Sequence, residues 1–485
     1  MNELAKRVAI VGGGLAGIAC ALRLVEAGYE VTLIETRKRL GGRATSLVDP
    51  RSGITVDNCQ HVVLGCCTNL LDLYERLGVL DQIHWHEELF WTAAKKMAQR
   101  PGRSAKTSLG PGEFDVMRAG WLPAPMHLAG SMRKMRLFDR SEKRAIARAM
   151  WRMIRMGSMA RIAWANRTFS EFLSEMNQPA ELVEDFWNTI IVSACNLNVD
   201  RVGAAYALQV FQEGFLANKF SYAMGVSQVP LGDLYDPALA KILAAGGRVE
   251  LGLSAKAIAF DGRRVTGVVT EEDMVEANAV VSAVPWDRLD KLTSQTMKDA
   301  DRRLQHLSEI NVSPILGVHL WFECEVMKLP HLVLAGGDVQ WLFNKGLDDA
   351  GRQHIHAVIS GADAWMDMNE DQIVAKVLED VEFALPDARG RKLVEKRTIK
   401  EKRATFAALP GVEQFRPAAS ALAMGVGSGG IPNLFLAGDW CDTGWPATME
   451  GAVRSGYAAA AAISGQGSVV ADIPTGKLAL LAGLR

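Results

Sequence analysis

Three glycines near the start of the chain, Gly12, Gly14 and Gly17, stand at the G-x-G-x-x-G spacing. They follow the apolar run Val8 to Val11 and open an apolar segment from Leu15 to about Ala27. Strand, glycine turn and helix in that order can cradle a pyrophosphate. One glycine turns the chain tightly, one lets the backbone approach the phosphates, and one lets the helix pack on the strand. The free N–H groups of the helix start add partial positive charge, so Leu15 and Ala16 join the candidate contacts. A second strand from Glu30 would end at Glu35, roughly 20 residues beyond the glycines, where a carboxylate meets a ribose hydroxyl pair. That acid would repel the 2′-phosphate of NADP.

Further along, Gly41-Gly42-Arg43 lets the backbone turn close to a ligand and places a guanidinium beside it. Alone, Arg37 to Arg43 would read as a basic surface loop; beside the first motif it reads as a second pyrophosphate contact. From Gly53 to His61 a strand should end in the polar cluster Asp57, Gln60 and His61. Near the C-terminus, a buried strand from Leu434 to Ala437 stops at Gly438-Asp439, and a helix capped by Thr448 runs to about Ser464. Glu450 falls in its first turn, where a carboxylate is a dipole partner more often than a catalyst.

These residues need a large scaffold. A chain of 485 residues implies two or three domains. A net charge of −1 gives no general attraction to nucleic acid. The seven cysteines are scattered without a C-x-x-C pair, which suits a reducing compartment and argues against a zinc site or disulfide framework; no metal site is expected. The N-terminus runs directly into the first strand, leaving no room for a signal peptide, and no apolar run reaches spanning length. The expected location is cytoplasmic, with peripheral contact on the inner face of the cytoplasmic membrane.

Between the motifs, Thr68 to Leu77 reads as a helix with Leu70, Leu71, Tyr74 and Leu77 on one side. From Arg133 to Arg167, Ile146, Met150, Met153 and Ile154 share one helical face, opposite Arg144, Arg148, Arg152 and Arg155. Two readings fit: a helix covering its own core with arginines in water, or a basic amphipathic helix lying on a membrane. Helical periodicity continues to about Gly225. One strand is then expected from Arg248 to Phe260, a hairpin turn at Asp261-Gly262, and one more strand from Val275 to Val284. Ile315 to Phe322 and His354 to Ser360 look like strands, and Asp371 to Leu385 like a helix.

Taken together, the opening glycines, Glu35, Gly41-Gly42-Arg43 and Gly438-Asp439 before a helix resemble the FAD-dependent amine oxidase and phytoene desaturase superfamily. Three stretches are similar to its squalene-associated branch, the hydroxysqualene dehydroxylases: Asp57 to Gly65, Ser313 to Phe322, and Gly444 to Gly456. Cys59 departs from the glycine expected there.

The resemblance implies an α/β architecture, a Rossmann-like FAD-binding domain interleaved with an α+β substrate domain. FAD-binding segments would span 1–75, 226–290 and 411–470, with a helical cap at 76–225, a substrate sheet at 291–410 and a tail at 471–485. It implies FAD contacts at Gly42, Arg43, Ala44, Gly438, Asp439, Met449 and Ala452, with the backbone near Ala255 on the adenine. It places Trp445 and His319 in the substrate pocket.

The implied reaction is reductive removal of the allylic hydroxyl of hydroxysqualene, a long isoprenoid, with a partner reductase or NAD(P)H as electron donor. His61 is then the candidate proton donor, oriented by Asp57 or Gln60, or else a structural histidine tying strand to loop. A carotenoid-type desaturase on the same fold is the alternative enzyme. A non-catalytic prenyl-chain escort is the alternative from another class, and it would carry a damaged flavin site.

Overall fold

The computed structural model describes residues 6–49, 53–101, 109–420 and 429–484. Its nucleotide sheet is built around Arg7–Val11 (β1), buried on both faces after its first residue. Glu30–Glu35 (β2) and Ala279–Ser282 (β4) flank it in parallel, so that Ile10 pairs with Leu33 on one side and Val281 on the other. Arg248–Leu251 (β3) extends the sheet beyond β2 and Leu434–Leu436 (β5) beyond β4, giving the order β3-β2-β1-β4-β5. All four pairings are parallel, which is why β1, β4 and β5 read as apolar runs without alternation.

Helix Leu15–Glu26 (α1) follows β1 directly. Gly12, at φ 107°, makes the turn between them. Helix Met449–Ser464 (α4, after α2 and α3 below) lies so close to α1 that a Cβ at Gly456 would come within 2.3 Å of the Ala16 carbonyl oxygen. The two ends of the chain thus share one core with Thr68–Leu77 (α2), through Leu70, Leu73, Tyr74, Val453 and Tyr457.

Two expected strands are divided. The chain turns at Gly252 (φ 79°), so β3 stays in the parallel sheet while Ala255–Phe260 pairs antiparallel with Val265–Thr270. Likewise Met274–Glu276 closes that small sheet before β4 enters the large one. In both cases the chain passes between two sheets, which apolar runs alone do not reveal.

The second layer is a seven-stranded sheet in the order 393–406, 312–322, 353–360, 341–347, 331–335, 88–93, 115–118. Only 331–335 and 88–93 pair in parallel. The boundaries expected at 75, 225 and 290 fall inside α2, inside the strand Met224–Ser227 and inside the helix Trp286–Leu292. The chain changes layers within continuous elements rather than in linkers, because Met224–Ser227 pairs with both Val62–Leu64 and Ile83–His86.

Arg140–Met156 (α3) starts at a capping box between Asp139 and Glu142. Its Ala145, Ile146, Ala149, Met153 and Ile154 are buried in the main core, and Arg144, Arg148, Arg152 and Arg155 are exposed. The apolar face is therefore occupied by the protein itself, as the core-covering reading expects, and only the arginine face is left exposed. Two π turns, Val183–Asn188 and Gln212–Leu216, interrupt the helices of the cap. Among the described residues, no helix is long and apolar enough to cross a membrane.

Candidate active site

A cavity of about 870 Å³ opens beyond the C-terminal ends of the five parallel strands. It is at the upper end of the usual range for ligand pockets, roughly 300–1,000 Å³. Its wall contains Gly12, Gly14, Leu15, Ala16, Glu35, Gly42, Arg43, Ala44, Ala255, Gly438, Asp439, Met449 and Ala452, with Gln60, His61 and Trp445. Gly17, Asp57 and His319 are not on it. Gly17 works from behind: a Cβ there would lie 1.9 Å from the Gly12 carbonyl oxygen, so it serves the packing of α1 on the turn.

The N-terminus of α1 has no side-chain cap, because Gly14 occupies that position. Gly41 donates to the Gly13 carbonyl at 2.9 Å, folding the second glycine loop against the first. Glu35 accepts from the Gly13 and Arg37 N–H groups, at 2.7 and 2.8 Å, and each oxygen keeps a lone pair for a ligand hydroxyl. Arg43 and Asp439, expected as separate ligand contacts, are instead each other's partners, Nη2 on Oδ1. Arg43 Nη1 also donates to the Ala404 carbonyl at 2.7 Å. The cavity wall is also reached by the start of α4, capped by Thr448, whose Oγ1 accepts from Gly451 N–H at 3.1 Å.

Glu450 is fully buried and caps a different helix. Its Oε2 accepts from Leu70 N–H at 2.8 Å, and its Oε1 from Asn69 N–H at 3.2 Å and Arg454 Nε at 2.6 Å. It is a dipole partner for α2 as well as for α4.

The donor set fits FAD. An uncapped helix start and two glycine turns on the wall would hold a pyrophosphate, the Glu35 carboxylate 23 positions after Gly12 would accept from ribose hydroxyls, and the positive end of α4 would stabilise the negative charge of a reduced flavin.

The polar groups proposed for chemistry are less united. His61 Nδ1 lies 3.1 Å from the Cys59 carbonyl, which can only accept, so Nδ1 carries the proton and Nε2 is an acceptor. Burial lowers its pKa, with the Cys59 carbonyl and Asp57 opposing and Arg43 reinforcing. A neutral imidazole in that tautomer is a poor acid. Asp57 does not touch it: Oδ1 accepts from Ser46 Oγ at 2.8 Å and Leu231 N–H at 3.0 Å, and Oδ2 from Lys345 Nζ at 3.3 Å. Gln60 also turns away, donating from Nε2 to the His61 carbonyl and accepting at Oε1 from Lys345 Nζ. Both expected orienting residues therefore brace the loop rather than the ring.

His319 is buried behind that loop, with Nε2 3.1 Å from the Asp57 carbonyl and Nδ1 2.9 Å from His354 Nε2. It supports the loop and is not in the pocket, a second correction. Trp445 is on the wall, with the Arg454 guanidinium 4.9 Å from its ring centroid.

Two residues at the site carry no motif. Arg416 is buried and donates to Trp440 O at 3.3 Å, Asp439 O at 3.1 Å and Tyr206 Oη at 2.7 Å, clamping the loop after Gly438. Glu213 reaches the cavity from the second π turn. Neither spacing nor composition marks them.

Residues 15–464 match the family described as flavin containing amine oxidoreductase, and the chain belongs to it. It is an FAD-dependent oxidoreductase. It is 25% identical over 480 residues to a 15-cis-phytoene desaturase of Synechococcus elongatus, covering 94% of this chain and 95% of that one. It is 28% identical over 471 residues to a hydroxysqualene dehydroxylase of Rhodopseudomonas palustris, covering 94% and 98%. The fold is shared with a putrescine oxidase solved with putrescine bound, at a TM-score of 0.68 and 17% identity over 95% of this chain and 99% of that one.

Proposed function

We propose that the enzyme removes the allylic hydroxyl of hydroxysqualene reductively, forming squalene. The observation that carries this reading is the apolar part of the cavity wall, where Val62, Leu64, Ala194, Val210, Leu292 and Ile315 line the same cavity as the nucleotide motifs. A long hydrocarbon chain needs such a lining, and a single hydroxyl needs only a local polar site. Full-length similarity to a hydroxysqualene dehydroxylase supports the same substrate class.

Gly12, Gly14, Leu15, Ala16, Gly42 and Ala44 would hold the pyrophosphate, Glu35 the adenosine ribose, and Ala255 the adenine. Gly438, Met449 and Ala452 would face the flavin, with the Arg43–Asp439 pair fixing the loop beside it. FAD, when bound and reduced, would supply a hydride. His61 accepts the substrate hydroxyl hydrogen at Nε2, which fixes the direction of the oxygen lone pairs. Trp445 and the apolar wall keep water from an allylic cation. An external reductase or NAD(P)H returns the two electrons.

Substrate would come from a bilayer. The docking surface on this reading is the exposed arginine row of α3 with Trp151, Met159, Ile162 and Leu481, of which the last three are 76%, 70% and 83% exposed. The C-terminal helix bearing Leu481 abuts α3, since a Cβ at Gly483 would be 3.5 Å from the Ile154 carbonyl.

The test is anaerobic incubation of FAD-loaded protein with hydroxysqualene and a chemical reductant, followed by mass spectrometry. Squalene appearing only when the flavin is reduced supports the reading. No squalene, together with dehydrogenation of a polyisoprenoid by oxidised enzyme, assigns the carotenoid-type alternative.

A further inference from the structure

The cavity holds one carboxylate that its motifs do not explain. Glu213 lies in the π turn Gln212–Leu216, which continues the helix Ala204–Phe211. π turns recur at functional sites because they redirect side chains that an α-helix would leave elsewhere. Here the turn is pinned from behind. The fully buried Gln212 donates through Nε2 to the carbonyls of Met153 and Gly157, at 2.8 and 3.0 Å, at the end of α3. The next residue, Glu213, is thereby held on the cavity wall, together with Gln209 and Val210.

Only one of its oxygens is engaged. Oε1 accepts from Arg161 Nη2 at 3.1 Å, and Oε2 makes no hydrogen bond among the described residues. Arg161 is itself fixed by Nε donating to the Ser158 carbonyl at 3.0 Å. The other charged groups facing Glu213 are Asp472, on the segment after α4, and Arg454 on α4. Arg454 is largely satisfied by Glu450 and Asp472. Burial raises the Glu213 pKa; Arg161 opposes the rise, Asp472 adds to it and Arg454 opposes it. The region is the Trp445 end of the cavity, since Arg454 covers the Trp445 ring.

We infer that Glu213 is the general acid that protonates the departing allylic hydroxyl. The inference rests on the dehydroxylation reading above and replaces His61 in that role. The proton passes from Glu213 Oε2 to the hydroxyl oxygen, the C–O bond breaks with its electron pair, and water leaves. The hydride that completes the reduction at the allylic carbon, with both electrons, is what bound, reduced FAD would supply. Glu213 is left as a carboxylate beside Arg161, which stabilises the charge until a proton returns from solvent.

The test compares two substrates on FAD-loaded enzyme under anaerobic, reducing conditions: hydroxysqualene and its acetate ester. Acetate departs as an anion and needs no proton. Glu213→Gln should slow squalene formation from the alcohol about 100-fold or more, the usual size of a general-acid contribution, and leave the ester within about threefold of wild type. A second readout is independent of turnover. The infrared band of the protonated Glu213 carboxyl should persist to higher pH than that of a solvent-exposed glutamate, and it should be absent from Glu213→Gln.

Equal slowing on both substrates, or no slowing on either, would overturn the inference, as would a Glu213 carboxyl band that titrates in the range of a solvent-exposed glutamate. Wild-type enzyme inert towards both substrates would instead remove the dehydroxylation reading. If Glu213→Gln does not fold, Arg161→Met serves: it should extend the protonated band and the alkaline limb of turnover to higher pH. Unchanged limits in that variant would also overturn the assignment.

Discussion

Arg43 and Asp439, 396 residues apart, are joined as an ion pair on the wall of the flavin cavity. The aspartate side chain is 5% exposed and the arginine 30%. The pair ties the second glycine loop to the loop after β5. Arg43→Met would leave a buried carboxylate alone, which costs about 3 kcal/mol, the lower end for such a break because the arginine is partly solvated. Adding Asp439→Asn should recover more than half of that loss. Urea unfolding of the apoprotein across the four-member mutant cycle measures both numbers.

The glycines of the first motif should separate by role. Gly14 has φ −75°, and a Cβ there would meet nothing nearer than 3.8 Å, so Gly14→Ala should fold normally and lose FAD affinity. Gly17→Ala should be destabilised first, because its Cβ would collide with the Gly12 carbonyl. Thermal unfolding with and without FAD distinguishes them: the first variant keeps its apoprotein Tm and loses the FAD-induced rise, and the second loses apoprotein Tm.

Stability should fall in mild acid. Burial pushes His127 and His319 down to about 4 and His331 down to about 3. In the unfolded chain these rings take protons below about pH 6.5. The folded state is therefore fully stabilised above that pH and loses the contribution as pH falls through 4, by up to ~1.4 kcal/mol per pH unit for each ring. His127 has no hydrogen-bond partner on either ring nitrogen among the described residues. His127→Leu should keep or raise Tm at pH 8 and shrink the loss between pH 6.5 and 4, as followed by calorimetry.

Membrane docking should depend on charge and on the exposed apolar residues rather than on the buried face of α3. Replacing Arg144, Arg148, Arg152 and Arg155 by glutamine should reduce flotation with anionic liposomes by about tenfold or more, since each basic residue near such a surface contributes about 1 kcal/mol. Ile162→Ser with Leu481→Ser should weaken binding with little change in Tm, because both side chains are exposed. Unchanged flotation in both variants would contradict the proposed surface.

Much of the nucleotide half was legible in the sequence. Its strands are short, and β1, β2 and β5 run into a glycine or an acid with a distinct physical task, so β1, α1, β2, α2 and α4 appear close to their observed limits. Division of the strand at Gly252 was not legible, because both halves carry the same apolar pattern and only the partner strand differs. Nor was the bracing of Asp57 by Lys345, 288 residues away. The π turn at Glu213 hides for another reason: helical periodicity looks the same on either side of one inserted residue. Of the two readings of His61, the Cys59 carbonyl two residues away supports the one in which the ring ties the strand end to the loop, a contact that spacing alone did not reveal.

The most direct measurement is a single-turnover experiment in which FAD-reduced enzyme is mixed anaerobically with hydroxysqualene while flavin absorbance is followed. The account predicts reoxidation of one flavin for each squalene formed, with no reaction when oxidised enzyme is used. Reduced flavin that persists in the presence of hydroxysqualene, while oxidised enzyme is bleached by a polyisoprenoid, would contradict it.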